Sequence, residues 1–137
     1  MTKLLRDIWI LAESGLVMFH RVFNKKIDAN LFGGMLTALN SFAEELSEGG
    51  LSNFELANKR FTVAKEGNYL FIANAEKKNS IKKVKIELEK LKKRFFEFYP
   101  ENLLLNWNGD TSMFNDFGDK IEDSLELTAL KLEEAFW

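Results

Sequence analysis

Apolar residues first gather in two short bursts. Residues 5–13 (LRDIWILAE) and 16–22 (LVMFHRV) are rich in strand formers and are parted by Ser14 and Gly15, a pairing that predicts a tight β-hairpin. Ile8, Trp9, Ile10 and Leu11 run apolar without alternation, so this strand is expected to be central and covered on both faces, with helices on both sides of its sheet. After a polar connector from Asn24 to Asp28, Phe32, Met35, Leu36, Leu39, Phe42, Ala43 and Leu46 recur at steps of three and four. That spacing is the stripe of an amphipathic helix over 29–47, with Asp28 as its N-cap and Gly49-Gly50 as its stop.

Three extended pieces follow near 52–57 (SNFELA), 60–66 (RFTVAKE) and 69–75 (YLFIANA), the last two joined by Gly67-Asn68 in an antiparallel meander. From Asn79 the period becomes 3.6: Ile81, Val84, Leu88, Leu91, Phe95 and Phe98 share a face, and Pro100 stands just past the end. A turn over Asn106 to Gly109 leads to a last helix, capped by Asp110 or Thr111, that carries Phe114, Phe117, Ile121 and Leu125 and extends as far as Leu132. No repeat or low-complexity tract interrupts this order, so residues 1–137 are read as one domain with one core.

The order β-β-α-β-β-β-α-α resembles the longin fold. The residues that carry the resemblance are Ile8-Trp9-Ile10-Leu11 with Ser14-Gly15, LFGGMLTALNSFAEEL from Leu31 to Leu46, and NFELANKRFTVAKEGNYLFIA from Asn53 to Ala73. It implies an α+β, longin-like (profilin-like) αβα sandwich: a five-stranded antiparallel sheet with one helix on one face and two C-terminal helices on the other. Longin domains occur in vesicle trafficking, in SNARE amino-terminal domains, tethering and coat-adaptor subunits and the receptor of the signal recognition particle; related prokaryotic proteins resemble partners of small GTPases. The implied function is a non-catalytic protein-binding module or adaptor that docks a small GTPase or another longin/roadblock-type subunit, a homodimer included. No heptad segment or membrane anchor follows in this sequence, so a SNARE role is not expected. In longin domains a groove beside the first helix holds peptide segments, and carrying it over points to Leu36, Asn40, Phe54 and Leu56. A PAS-like small-ligand sensor is the alternative, although it would place short helices and a cavity where this chain has one continuous apolar stripe.

Composition narrows the chemistry. With 46% hydrophobic and 29% charged residues the chain is globular, not disordered. It has no cysteine, which removes disulfides, thiolate metal sites and a cysteine nucleophile and favours a reducing, cytoplasmic setting. The amino terminus reads as mature protein, since Arg6, Asp7 and Glu13 break up its apolar run. No apolar stretch approaches the roughly 20 residues of a membrane span, and a net charge of -2 gives no general attraction to nucleic acid. His20 is the only histidine, so no metal cluster or triad of ordinary spacing is expected, and the glycines form no phosphate-binding loop. Neither catalysis nor a cofactor is expected.

Three features have both a structural and a functional reading. Adjacent Gly33 and Gly34 cost a helix about 1 kcal/mol each relative to alanine, which is offset either by close packing on the sheet or by a docking partner, so alanine is expected to be felt at both. Residues Lys77 to Arg94 hold nine of the 19 basic residues, forming either a solvated face or a basic helix (79–99) that makes peripheral contact with an anionic membrane surface. Trp107 and the Phe136-Trp137 pair fall outside the periodic stripes, either covering the end of the core or contributing to an interface.

Overall fold

Ile8, Trp9, Ile10 and Leu11 expose no surface at all, and the architecture follows from sealing them on both sides. The computed structural model describes residues 5–12, 15–21, 28–46, 50, 52–55 and 59–121. Its elements are β1 (Ile8–Leu11), β2 (Val17–Arg21), α1 (Ala29–Leu46), β3 (Asn53–Glu55), β4 (Lys59–Glu66), β5 (Tyr69–Glu76), α2 (Ile81–Phe98), α3 (Glu101–Leu105), a 3-10 turn (Thr111–Phe114) and α4 (Phe117–Lys120). The five strands form one antiparallel sheet in the order β2-β1-β5-β4-β3. The fold is therefore the expected α+β, longin-like sandwich, with β1 an interior strand beside the central β5.

Period-two alternation divides the strands between two cores. Trp9, Leu11, Val17, Phe61, Val63, Leu70 and Ile72 meet Leu36 of α1 on one face. On the other, Ile8, Ile10, Phe19, Ala64, Phe71, Ala73 and Ala75 meet Val84, Leu88, Leu91 and Phe95 of α2. Phe95 is the hub of the second core: the rings of Phe71, Phe96, Tyr99, Phe114 and Phe117 lie with centroids 5.0 to 5.6 Å from its own, the tilted and edge-on spacing that aromatic quadrupoles favour.

Turn and cap chemistry sets the boundaries. Gly15, at φ 89°, lets the Gly15 amide reach the Ala12 carbonyl at 2.9 Å and close the first hairpin. Asp28 Oδ1 accepts from the amides of Asn30 (3.0 Å) and Leu31 (3.1 Å), the N-cap expected for α1. Ser80 does the same for α2, accepting from the Lys83 amide at 3.2 Å.

The carboxy-terminal part departs from expectation. Pro100 ends α2 and at once begins the short α3, and the single last helix is instead a 3-10 turn followed by α4. Phe114 closes the 3-10 turn and Phe117 opens α4; both are fully buried with their rings against Phe95, while Asn115 and Asp116 between them are exposed. Leu125, Leu132, Phe136 and Trp137 lie outside the described residues. Ile81 and Phe98, expected on the buried stripe of α2, are about half exposed because they flank the line through Val84, Leu88, Leu91 and Phe95.

One buried polar contact ties the sheet's interior strands. The Asp7 amide donates to Asn74 Oδ1 at 2.9 Å, and Asn74 Nδ2 donates to Asp7 Oδ2 at 2.9 Å. Both residues are buried, so removing either leaves its partner desolvated. Asn74→Ala should lower unfolding free energy by roughly 2 to 4 kcal/mol, read as a lower urea midpoint with unchanged slope.

Candidate functional site

Helix α1 buries little of itself. Of its described side chains only Gly33, Leu36 and Asn40 are buried, with Phe32, Thr37 and Ala43 half-buried. Gly33 explains why: a Cβ there would stand 2.7 Å from Val17 Cγ2 and 3.1 Å from Leu11 Cδ2, so the missing side chain lets the helix lie directly on the β1–β2 hairpin. A helix held that close has room beneath it for Leu36, Asn40 and parts of Phe32, Thr37 and Ala43.

The remaining apolar residues point outward. Leu31 is 76% exposed, Phe42 59% and Leu46 73%, with Met35 and Leu39 also open to solvent. At 100° per residue Leu31, Met35, Phe42 and Leu46 fall within about 60° of arc, so they form one continuous ridge over the helix's length. The sequence stripe is thus two adjacent stripes, and Met35, Leu39, Phe42 and Leu46 belong to the outward one, not to the core. A contiguous uncharged patch of this kind is what protein interfaces bury.

The sequence-derived candidates separate in space. Gly33 and Leu36 serve the packing of α1 on the sheet. Gly34 faces open space, with nothing within 4 Å of a Cβ built on it, so close packing on the sheet, which accounts for Gly33, does not account for Gly34. Asn40 is buried and donates to Glu44 Oε1 at 2.9 Å, and Glu44 also meets Lys65 Nζ at 3.4 Å. These three line a gap of about 170 Å³ between α1 and the β4–β5 turn, below the roughly 300 Å³ at which small-molecule pockets begin. Phe54 is half-buried on β3 and stacks on Phe61 with centroids 4.6 Å apart, and Phe61 and Trp9 both meet Phe32 of α1. Leu56 lies outside the described residues. Trp107 is on the other face: it packs edge-on against Phe114 at 5.3 Å and its Nε1 donates to the Asp110 carbonyl at 2.8 Å, so it covers the end of the α2 core.

The sheet edge beside α1 is short and charged. β3 has three residues, and Glu55 takes Arg60 Nε at 3.0 Å and Lys77 Nζ at 3.1 Å. The Arg60 hydrogen bond, then the Lys77 one, holds the Glu55 carboxyl below its ordinary range. Two lysines of the basic run have a role that sequence reading missed. Lys85 Nζ donates to the Val63 carbonyl at 2.7 Å and Lys92 Nζ to the Lys65 carbonyl at 3.2 Å, cations meeting alternate carbonyls of β4. Their seven-residue spacing along one flank of α2 was the available clue.

No family model matches this chain, and no curated protein matches its sequence. Solved structures do resemble it. MglB of Myxococcus xanthus aligns with a TM-score of 0.51 and 13% identity, over 68% of this chain and 78% of its own. A Roadblock/LC7 domain from Streptomyces avermitilis aligns with a TM-score of 0.50 and 12% identity, over 68% of this chain and 87% of its own. The likeness is one of fold: the neighbours are roadblock/LC7-type domains of longin-like architecture. Among the described residues no helix is long and apolar enough to cross a membrane.

The two glycines should behave oppositely. Gly33→Ala should destabilise by about 1 to 3 kcal/mol through overpacking, whereas Gly34→Ala should stabilise by up to about 1 kcal/mol through helix propensity; thermal melts of the two variants decide this. The folded-state pKa of Glu55 is depressed, so its contribution is present above the unfolded pKa and lost as pH falls through the folded one. Arg60→Ala should move the Glu55 carboxyl midpoint upward in an NMR titration.

Proposed function

We propose that this chain is a non-catalytic protein-binding module that docks a second protein subunit through the outward face of α1. The observation that carries the reading is the ridge of Leu31, Met35, Phe42 and Leu46, exposed and uncharged along the helix. Lasting subunit interfaces are more apolar than transient ones, so the favoured partner is a longin- or roadblock-type subunit, a second copy of this chain being the simplest. Electrostatics support an antiparallel copy. The last turn of α1 has no basic residue and includes Glu44 and Glu45, an unfavourable charge near a helix C-terminus that Lys65 offsets at Glu44. An antiparallel neighbour would bring its positive N-terminal end beside Glu45. The resemblance to longin-type proteins keeps a small GTPase, bound in one nucleotide state, as the second reading; such a transient partner would suit the polar edge at Glu55, Arg60 and Lys77. We place the module in the cytoplasm, on the absence of cysteine, and assign it no cofactor.

Sedimentation velocity over a concentration series tests the reading. The wild-type chain should dimerise, and Phe42→Glu should weaken association by at least about 30-fold, as loss of a central apolar anchor does, with unchanged circular dichroism. A monomer at every concentration that retains a GTPase from lysate with only GDP or only a GTP analogue would transfer the function to the second reading. A monomer that retains neither a GTPase nor a longin-type subunit would sink the proposal.

A further inference from the structure

Apart from the half-buried Arg94, the cations of α2 fall into two groups. Lys85 and Lys92 turn to the β4 carbonyls and to Glu66 and Glu89, and Lys90 pairs with Glu87. The side chains of Lys82, Lys83 and Lys93 are exposed and, among the described residues, make no ion pair or hydrogen bond. At 100° per residue these three span about 100° of arc on the side away from the sheet, and Ile86, 45% exposed, stands between them.

This arc works against the fold that carries it. Lys82 and Lys83 occupy the first turn of α2, where no acidic residue stands and where the helix N-terminus has its own partial positive charge. Lys78, just before the helix, is exposed but pairs with Glu76 at 3.1 Å and does not belong to the arc. The cluster does not reflect general basicity, because the whole chain carries a net charge of -2. Carboxylates at 82 or 83 and a polar residue at 86 would improve both helix stability and solubility. The opposite arrangement suits a surface that is itself anionic and has an apolar layer beneath its charge.

We infer that the outward arc of α2 docks on an anionic lipid bilayer, with Lys82, Lys83 and Lys93 against the headgroups and Ile86 entering the interface. Shape favours a plane over a strand. Eighteen residues make α2 about 27 Å long, and the outer side of a helix is convex, so it can lie along a membrane but cannot enclose a nucleic acid. The arc also carries no aromatic residue on which a base could stack. Glu97 lies on the arc near its far end and lessens attraction there, so contact is strongest over the N-terminal half. α1 covers the opposite face of the sheet, so a bilayer on α2 leaves the α1 ridge accessible, and the inference stands whether or not that ridge binds a subunit.

The test is co-sedimentation of the full chain with vesicles of phosphatidylcholine alone and of phosphatidylcholine doped with phosphatidylserine, at low and at physiological salt. Binding should require phosphatidylserine and weaken with salt. Each lysine beside such a surface contributes about a fivefold factor, so the triple variant Lys82→Gln, Lys83→Gln, Lys93→Gln should lose about 100-fold in affinity. Ile86→Ser should reduce binding to the same vesicles, and circular dichroism should be unchanged in both variants, because among the described residues none of these side chains holds an ion pair. Equal binding to both vesicle types, no binding to either, or a triple variant that binds like the wild type would overturn the inference. So would a single-stranded RNA that displaces the chain from vesicles and is held more tightly than they are.

Discussion

Strands β1 and β5 are sealed on two sides, and that requirement organises everything else. A strand whose successive residues are all apolar has no face to give to water, so each side of the sheet needs its own helix. Ile8 and Ile10 are satisfied by α2, Trp9 and Leu11 by α1 and the rings of Phe32 and Phe61. The two helices meet this demand by different means, and the difference is where function enters.

Helix α2 covers its face by spending its whole apolar stripe, with Phe95 gathering five neighbouring rings and the 3-10 turn supplying Phe114 from beyond the helix. Nothing apolar is left over except at its flanks and at Ile86, so its outer side can be polar. Helix α1 covers its face by proximity. With Gly33 against Val17 and Leu11, the helix backbone itself is part of the lid, and few side chains fit between it and the sheet. An apolar helix that needs so few of its residues for the core has the rest available for another surface. Close approach at one glycine and an outward apolar ridge are thus two sides of a single packing decision.

How much of this was legible depends on what kind of information each feature needs. The hairpin at Ser14-Gly15, the cap at Asp28 and the period change after Asn79 are local, and the structure places the corresponding elements within a few residues of their expected positions. The direction in which Met35 and Phe42 point is not local. Periodicity gives the angle of an apolar arc about the helix axis, but how much of that arc is covered depends on the distance to the sheet, which Gly33 sets through contacts with residues far off in sequence. The broken last helix is similar. Phe114 and Phe117 look like residues of one helix by spacing, yet the first ends the 3-10 turn and the second begins α4, with both rings packed on Phe95. Lys85 and Lys92 were hard to read for a further reason: their seven-residue spacing marks a shared flank of α2, but a lysine in water can have the same spacing as one that donates to a strand carbonyl.

The buried clip between Asp7 and Asn74 bears on the relation of the two faces. It joins the start of β1 to β5, and Asn74 also receives the Arg6 amide on its carbonyl at 3.0 Å. Because β1 and β5 each contribute to both cores, fixing one against the other fixes the α1 side and the α2 side together. Hydrogen bonding of this type in a dry interior strongly resists sliding, since any shift in register would strand polar groups without partners. The sheet is therefore a stiff plate with an apolar ridge on one side and a cationic arc on the other. A partner held by the first is carried in a set orientation relative to whatever the second touches, and that geometric coupling is a property a flexible linker between two binding sites could not supply.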